Sequence, residues 1–166
     1  MRTILNYAFC LLAISMFSSC KKKQKEINEP TQTVVDTTSS TNTLSKLVVN
    51  ISGMQNSDGK VSFALYNSSA TFNDPSQAFR EIFPNAQINS MTISIDSLPA
   101  GDYAFGIFHD ENNNNQIDKN WMGIPSEGFA FSNNAMGSFG PPSYSQAKFT
   151  VPDKSIVTQD INLKFY

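Results

Sequence analysis

The sequence predicts an all-β domain, an antiparallel β-sandwich interrupted by one long ordered loop. Three observations predict it. Apolar residues alternate with polar ones in six short runs between Leu47 and Phe165. Gly, Pro, Asn and Asp bound those runs, and no stretch carries a sustained helical period. Side chains on a strand point to opposite faces in turn, so a period of two marks a half-buried strand. Several such strands in about 120 residues favour two packed sheets.

Leu47, Val49 and Ile51 share one face of the first strand. After the turn Asn56-Ser57-Asp58-Gly59, Val61, Phe63 and Leu65 do so in the second. Residues 76–83 suggest a short turn of helix. Met91, Ile93 and Ile95 mark the third strand. Leu98-Pro99-Ala100-Gly101 is a tight turn, because proline presets φ and glycine accepts a positive one. The fourth strand carries Tyr103, Phe105 and Ile107 on one face, with Ala104, Gly106 and Phe108 on the other. Between His109 and Tyr144 no strand pattern stands out. Phe149 and Val151 end a fifth strand, and Ile161, Leu163 and Phe165 form a sixth.

Residues 1–19 read as a signal peptide to be removed. Arg2 supplies a positive start, an apolar run extends from Tyr7 to Phe17, and Ser18-Ser19 precede Cys20. The run is too short to span a bilayer. Small residues just before a cysteine are the mark of a lipoprotein signal, so Cys20 is the expected lipidation site, although Phe17 stands where leucine is usual. Cysteine usage agrees. The chain has two cysteines, and removal of the signal discards Cys10, leaving Cys20 without a disulfide partner. Residues 20–45 then form a tether. Four lysines between Lys21 and Lys25 are followed by a Ser/Thr-rich segment, with too little apolar surface to fold. The expected address is the bacterial cell envelope, lipid-anchored at the outer membrane, with the membrane as a partner through that anchor.

Residues 46–166 form the single folded domain. They hold seven Lys/Arg against eleven Asp/Glu. No basic patch appears, which sets nucleic acid aside. No nucleophile elbow, phosphate loop or dinucleotide fingerprint is present either.

The chemistry-bearing segment is His109-Asp110-Glu111-Asn112-Asn113-Asn114-Asn115-Gln116-Ile117-Asp118. Calcium takes six to eight oxygens at roughly 2.3–2.6 Å. Counted from Asp110, loop positions 1, 3 and 5 are Asp110, Asn112 and Asn114. Gln116 would offer its backbone carbonyl, and Asp118 falls at position 9. This follows the front of an EF-hand loop. Position 6, normally glycine, is Asn115, which tolerates the left-handed conformation. Position 12, normally a bidentate glutamate, is Trp121. Glu127 or Glu111 would have to fold back to replace it. The expected cofactor is therefore calcium, bound weakly. The competing reading is an Asn-rich turn whose side chains cap its own backbone. One histidine and no usable cysteine make zinc a poor fit. His109 is expected as a packed, hydrogen-bonded side chain.

Trp121, Phe129 and Phe131 on the same excursion would suit stacking on a carbohydrate or gripping a peptide, or else simply cover the sandwich. The function expected from the residues is a non-catalytic binding module. The alternative is a purely structural surface protein without metal, and a carbohydrate-active enzyme built on paired carboxylates comes behind both.

Leu98-Pro99-Ala100-Gly101-Asp102-Tyr103 resembles the turn before a core strand in transthyretin-like and carboxypeptidase-regulatory-like modules. A closer resemblance covers Leu47 to Tyr166. Gly59-Lys60-Val61, Phe72, His109-Asp110-Glu111-Asn112, Asp118, Gly123-Ile124-Pro125-Ser126-Glu127-Gly128-Phe129, Phe131-Ser132-Asn133-Asn134 and Gly140-Pro141-Pro142 resemble the bacterial family called domain of unknown function 2141. The resemblance implies a secreted or surface sandwich of the immunoglobulin or prealbumin kind, and it implies no activity.

Overall fold

A computed structural model describes residues 44–166. The signal-like run, Cys20 and the tether lie outside the described residues. Eight strands run in chain order: β1 (Ser45–Met54), β2 (Lys60–Tyr66), β3 (Arg80–Ile82), β4 (Asn89–Leu98), β5 (Gly101–Asp110), β6 (Phe129–Phe131), β7 (Phe149–Val151) and β8 (Ile156–Asn162). A one-turn helix, α1 (Tyr144–Ala147), precedes β7.

The strands form two sheets. One has the order β4-β1-β8, and the other has the order β3-β2-β5-β6 with β7 also paired to β5. The alternating faces read from the sequence meet between them. Leu47, Val49, Ile51, Met91, Ile93, Ile95 and Ile161 face Val61, Phe63, Leu65, Phe105, Ile107, Phe149 and Val151 in one buried cluster. The rings of Phe63 and Phe105 stack with centroids 5.0 Å apart. Burial of alternate side chains from both sheets is what makes the sandwich stable.

Three details depart from expectation. β1 pairs with β8 in parallel, Ile51 opposite Ile161, whereas β1 and β4 are antiparallel. The last strand begins at Ile156: Val157 extends the Ile161 face across one strand length, and Ile156 points to the exposed face. Leu163 is buried just past its end, and Lys164 pairs with Phe129. The helix expected over 76–83 is a single 3-10 turn at Pro75–Gln77, capped by Asp74, followed by the short strand β3.

The sheet geometry sets where the excursion begins. β5 carries β7 along Gly101–Tyr103 and β6 along Gly106–Phe108. Its last residue, Asp110, opposes Lys60, the first residue of β2. The chain enters the domain at Ser45, one residue before the expected boundary and at the end of β1 away from Met54. Ten strand residues rise about 33 Å. The excursion therefore sits at the opposite end of the sandwich from the chain's entry.

Candidate metal centre

The excursion starts where β5 runs out of partners. His109 and Asp110 are both fully buried. His109 Nε2 lies 2.8 Å from the carbonyl oxygen of Asp58. It thereby pins the β1–β2 turn, the packed role expected of it. Its Nδ1 has no hydrogen-bond partner, and Glu111 Oε1 is 3.7 Å away. Gly59 makes this closeness possible. Its φ is +64°, and a Cβ there would collide with the carbonyl oxygens of Asp110 and Glu111.

Asp110 organises the loop. Its Oδ1 accepts the backbone N–H of Asn114 at 3.0 Å, and its Oδ2 accepts that of Asn115 at 2.9 Å. Lys60 Nζ lies 3.5 Å from the same Oδ2 and donates to Asn115 Oδ1 at 2.6 Å. The lysine also sits over the ring of Phe83, 5.4 Å from its centroid. Asn113 and Asn115 take positive φ, 60° and 63°. Asn115 thus does what glycine does at position 6 of a calcium loop.

The side chains expected to ligate do converge. Asn112 Nδ2 and Asn114 Nδ2 donate to Asp118 Oδ2 and Oδ1, at 2.6 and 2.9 Å. Their oxygens face the backbone: Asn112 Oδ1 accepts from Asn114 N, and Asn114 Oδ1 from Gln116 N. Glu127 folds back, and Glu111 does not. Glu127 is 5% exposed. Its two oxygens accept the backbone N–H groups of Glu111 and Asp118, at 3.0 and 2.9 Å. Glu111 turns aside to Asn56 Nδ2. Backbone bonds from Ser126 N to Asp118 O and from Asn120 N to Ile124 O close the return of the chain.

The donor chemistry suits a hard cation. The excursion carries four carboxylates, of Asp110, Glu111, Asp118 and Glu127, and Lys60 pairs with Asp110 alone. Each Asp110 oxygen accepts one N–H and retains a lone pair. Calcium coordination would require the Asn112 and Asn114 amides to turn their oxygens toward Asp118. Among the described residues no three His, Cys, Asp or Glu side chains come together as a ready-made metal cluster. The set is mixed carboxylate and amide, with Gln116 exposed at its rim.

The aromatics expected to bind ligand are separated. Trp121 is 91% exposed. Phe129 and Phe131 are half-buried on β6, and Phe129 meets Phe131 edge to face at 6.2 Å and lies tilted against Tyr166 at 5.9 Å. Sequence reasoning missed Ser132, which is fully buried. Phe105 lies in the gap between the β7 and β6 pairings of β5, and Ser132 Oγ accepts its N–H at 3.0 Å. The same hydroxyl donates to Ala147 O at 2.6 Å. Asn133 and Asn134, both at positive φ, tie β6 to α1 and β8. The signal was a lone Ser-Asn-Asn after an apolar run, too short to read as a fastener.

A family model described as an uncharacterised protein conserved in bacteria (DUF2141) matches residues 49–159. That range contains most of β1, the whole excursion and half of β8. No curated protein and no solved structure matches the chain.

Proposed function

The chain belongs to that uncharacterised bacterial family, whose description supplies no activity, so we propose its function from chemistry: a non-catalytic, lipid-anchored envelope module whose excursion binds calcium weakly. The observation that carries this reading is that three carboxylates, of Asp110, Asp118 and Glu127, are each tied to N–H groups of the same loop. Two of the three are buried, and a single ammonium, that of Lys60, lies within 4 Å of any of them among the described residues. Buried negative charge is costly unless paired, and a divalent cation would pair it. Asp110, Asn112, Asn114, Asp118 and the Gln116 carbonyl would hold the ion. Glu127 would hold the loop from below through its two N–H acceptors.

The anchor belongs to the same proposal. Cys20 would carry the acyl chains, and residues 21–43 would hold the domain off the membrane. The chain enters the sandwich at the end opposite the excursion.

A second reading has its own observation. Asn112 and Asn114 each cap a backbone N–H and clamp Asp118, and Lys60 partly neutralises Asp110. On this reading the loop is a self-capped turn and the protein is purely structural.

Thermal unfolding of the mature chain, residues 20–166, in EDTA and in millimolar calcium separates the two. With a dissociation constant on the order of 10⁻⁴–10⁻³ M, calcium at about 10 mM should raise the midpoint measurably. The rise should vanish in Asp118→Ala, whose site lies on the surface and whose fold should survive. An unchanged midpoint at that concentration establishes the self-capped turn instead.

A further inference from the structure

Beyond the Asp/Asn loop, the excursion shapes a groove of about 610 Å³. The segment around Asp118 contributes Ile117 and Ile124, the segment before α1 contributes Met136 and Phe139, and Phe129 and Phe131 of β6 line it between them. Met122 and Phe139 at its border are 58% and 105% exposed. Large apolar side chains left this open next to one another mark a binding surface. The volume lies within the range of small-molecule sites, roughly 300–1,000 Å³.

The lining selects the ligand. It is mainly apolar, and its polar side chains are Ser138, Lys119 and the Tyr166 hydroxyl. A sugar would bring many hydroxyls that these few groups leave unpaired, at a cost for each. Met122 and Met136 are unbranched and adaptable, which suits a flexible chain better than a rigid ring. Lys119 is the only charged side chain in the lining, and among the described residues it has no carboxylate within 4 Å. An ammonium at the edge of an apolar slot complements an anionic head.

We propose that this groove binds a single-chain anionic amphiphile, an acyl chain with a carboxylate head, the chain lying along Phe129, Phe131 and Met136 and the head meeting Lys119. It deepens the binding-module reading and rests on that reading, not on calcium.

Residues 20–166 are titrated with laurate in EDTA by isothermal calorimetry. The expected result is saturable heat of binding, with one laurate per chain. Met136→Asp should weaken binding by at least about tenfold, and Lys119→Gln should do so for laurate while leaving 1-dodecanol unchanged, since a hydrogen bond to a charged group is worth about a tenfold factor or more. An unchanged thermal midpoint in both variants shows that the fold is intact. No saturable heat, or parent-like laurate affinity in both variants, overturns the proposal. So does saturable binding seen only with phosphatidylglycerol vesicles or only with an apolar peptide. Because the titration runs in EDTA, a calcium-dependent midpoint without laurate binding rejects the groove alone. Laurate binding without any calcium effect rejects the metal alone.

Discussion

Lys60 Nζ lies 3.5 Å from the Oδ2 of Asp110, a carboxylate with no exposure to solvent. The two residues face each other at the end of the β2–β5 ladder. The pair is the domain's internal answer to a buried charge. Lys60→Met keeps the stem over Phe83 and removes the ammonium. Asp110 retains its two N–H donors, so the loss should be smaller than for a fully stranded ion, about 1–3 kcal/mol. In EDTA the thermal midpoint should fall by several degrees. If calcium binds, it should recover most of that loss, because the ion replaces the missing charge. A midpoint within a degree of the parent's in EDTA would show that Asp110 does not depend on Lys60.

Glu127 makes a sharper demand. Each of its oxygens accepts a backbone N–H, one from Glu111 and one from Asp118. Glu127→Gln preserves shape but offers one acceptor and one donor, so one N–H is left facing another. A lost acceptor at a buried site costs about 1–3 kcal/mol. Hydrogen exchange should locate the damage, with faster exchange at the Glu111 and Asp118 amides and little change in β1 or β4. Parent-like protection at both amides would remove Glu127 from its proposed role.

The core of this fold was legible because period two is a direct consequence of strand geometry. Leu47, Val49, Ile51 and their counterparts in β2, β4 and β5 could be read one by one. β3 and β6 could not, because three residues hold too little alternation to register. The parallel pairing of β8 was hidden as well, since the alternation of Ile161 and Leu163 is blind to strand direction. Of the candidate site, the loop from Asp110 to Asp118 was readable because its ligand-type residues are spaced along one turn. The recruitment of Glu127 could be posed as a choice against Glu111 but not decided, since it depends on where β6 returns the chain. Lys60 was invisible for the same reason: it lies fifty residues away and meets Asp110 only through the β2–β5 register.

Asp102 supplies a pH handle away from the loop. Its carboxylate accepts from Lys148 Nζ at 2.7 Å and Thr150 Oγ1 at 2.6 Å, clamping β7 to β5. The hydrogen bond from Lys148, then that from Thr150, holds its pKa below the ordinary carboxylate range. The same hydrogen bond, with the charge of Asp102, raises that of Lys148. A depressed carboxylate stabilises the fold above its unfolded value of about 3.9 and loses that effect as pH falls through the folded value. A raised lysine stabilises below about 10.4 and loses it as pH rises further. The clamp therefore operates between about pH 4 and pH 10. Carboxyl-carbon NMR should find Asp102 titrating below the ordinary range, and moving back toward it in Lys148→Gln. An identical titration in the two proteins would show that the ion pair does not form in solution.

Ser132 closes a gap that the strands leave open. β7 ends its pairing at Tyr103 and β6 begins at Gly106, so Phe105 has no strand partner for its N–H on that side. A buried N–H without an acceptor is costly. Ser132 Oγ accepts it, and donates its own O–H to Ala147 O. One hydroxyl thus joins the central strand, β6 and α1. Ser132→Ala strips the acceptor from the buried Phe105 N–H and one of two donors from Ala147 O, which keeps the Asn133 Nδ2 bond, so one group goes unpaired. The expected cost is about 1–3 kcal/mol. Ser132→Cys keeps a weak donor and acceptor of similar shape and should lose less. Chemical denaturation of the three proteins orders them Ser, Cys, Ala. If alanine matched serine, the Phe105 N–H would have to find another acceptor, and β6 would be held by Phe131 packing and the Asn133 and Asn134 amides alone.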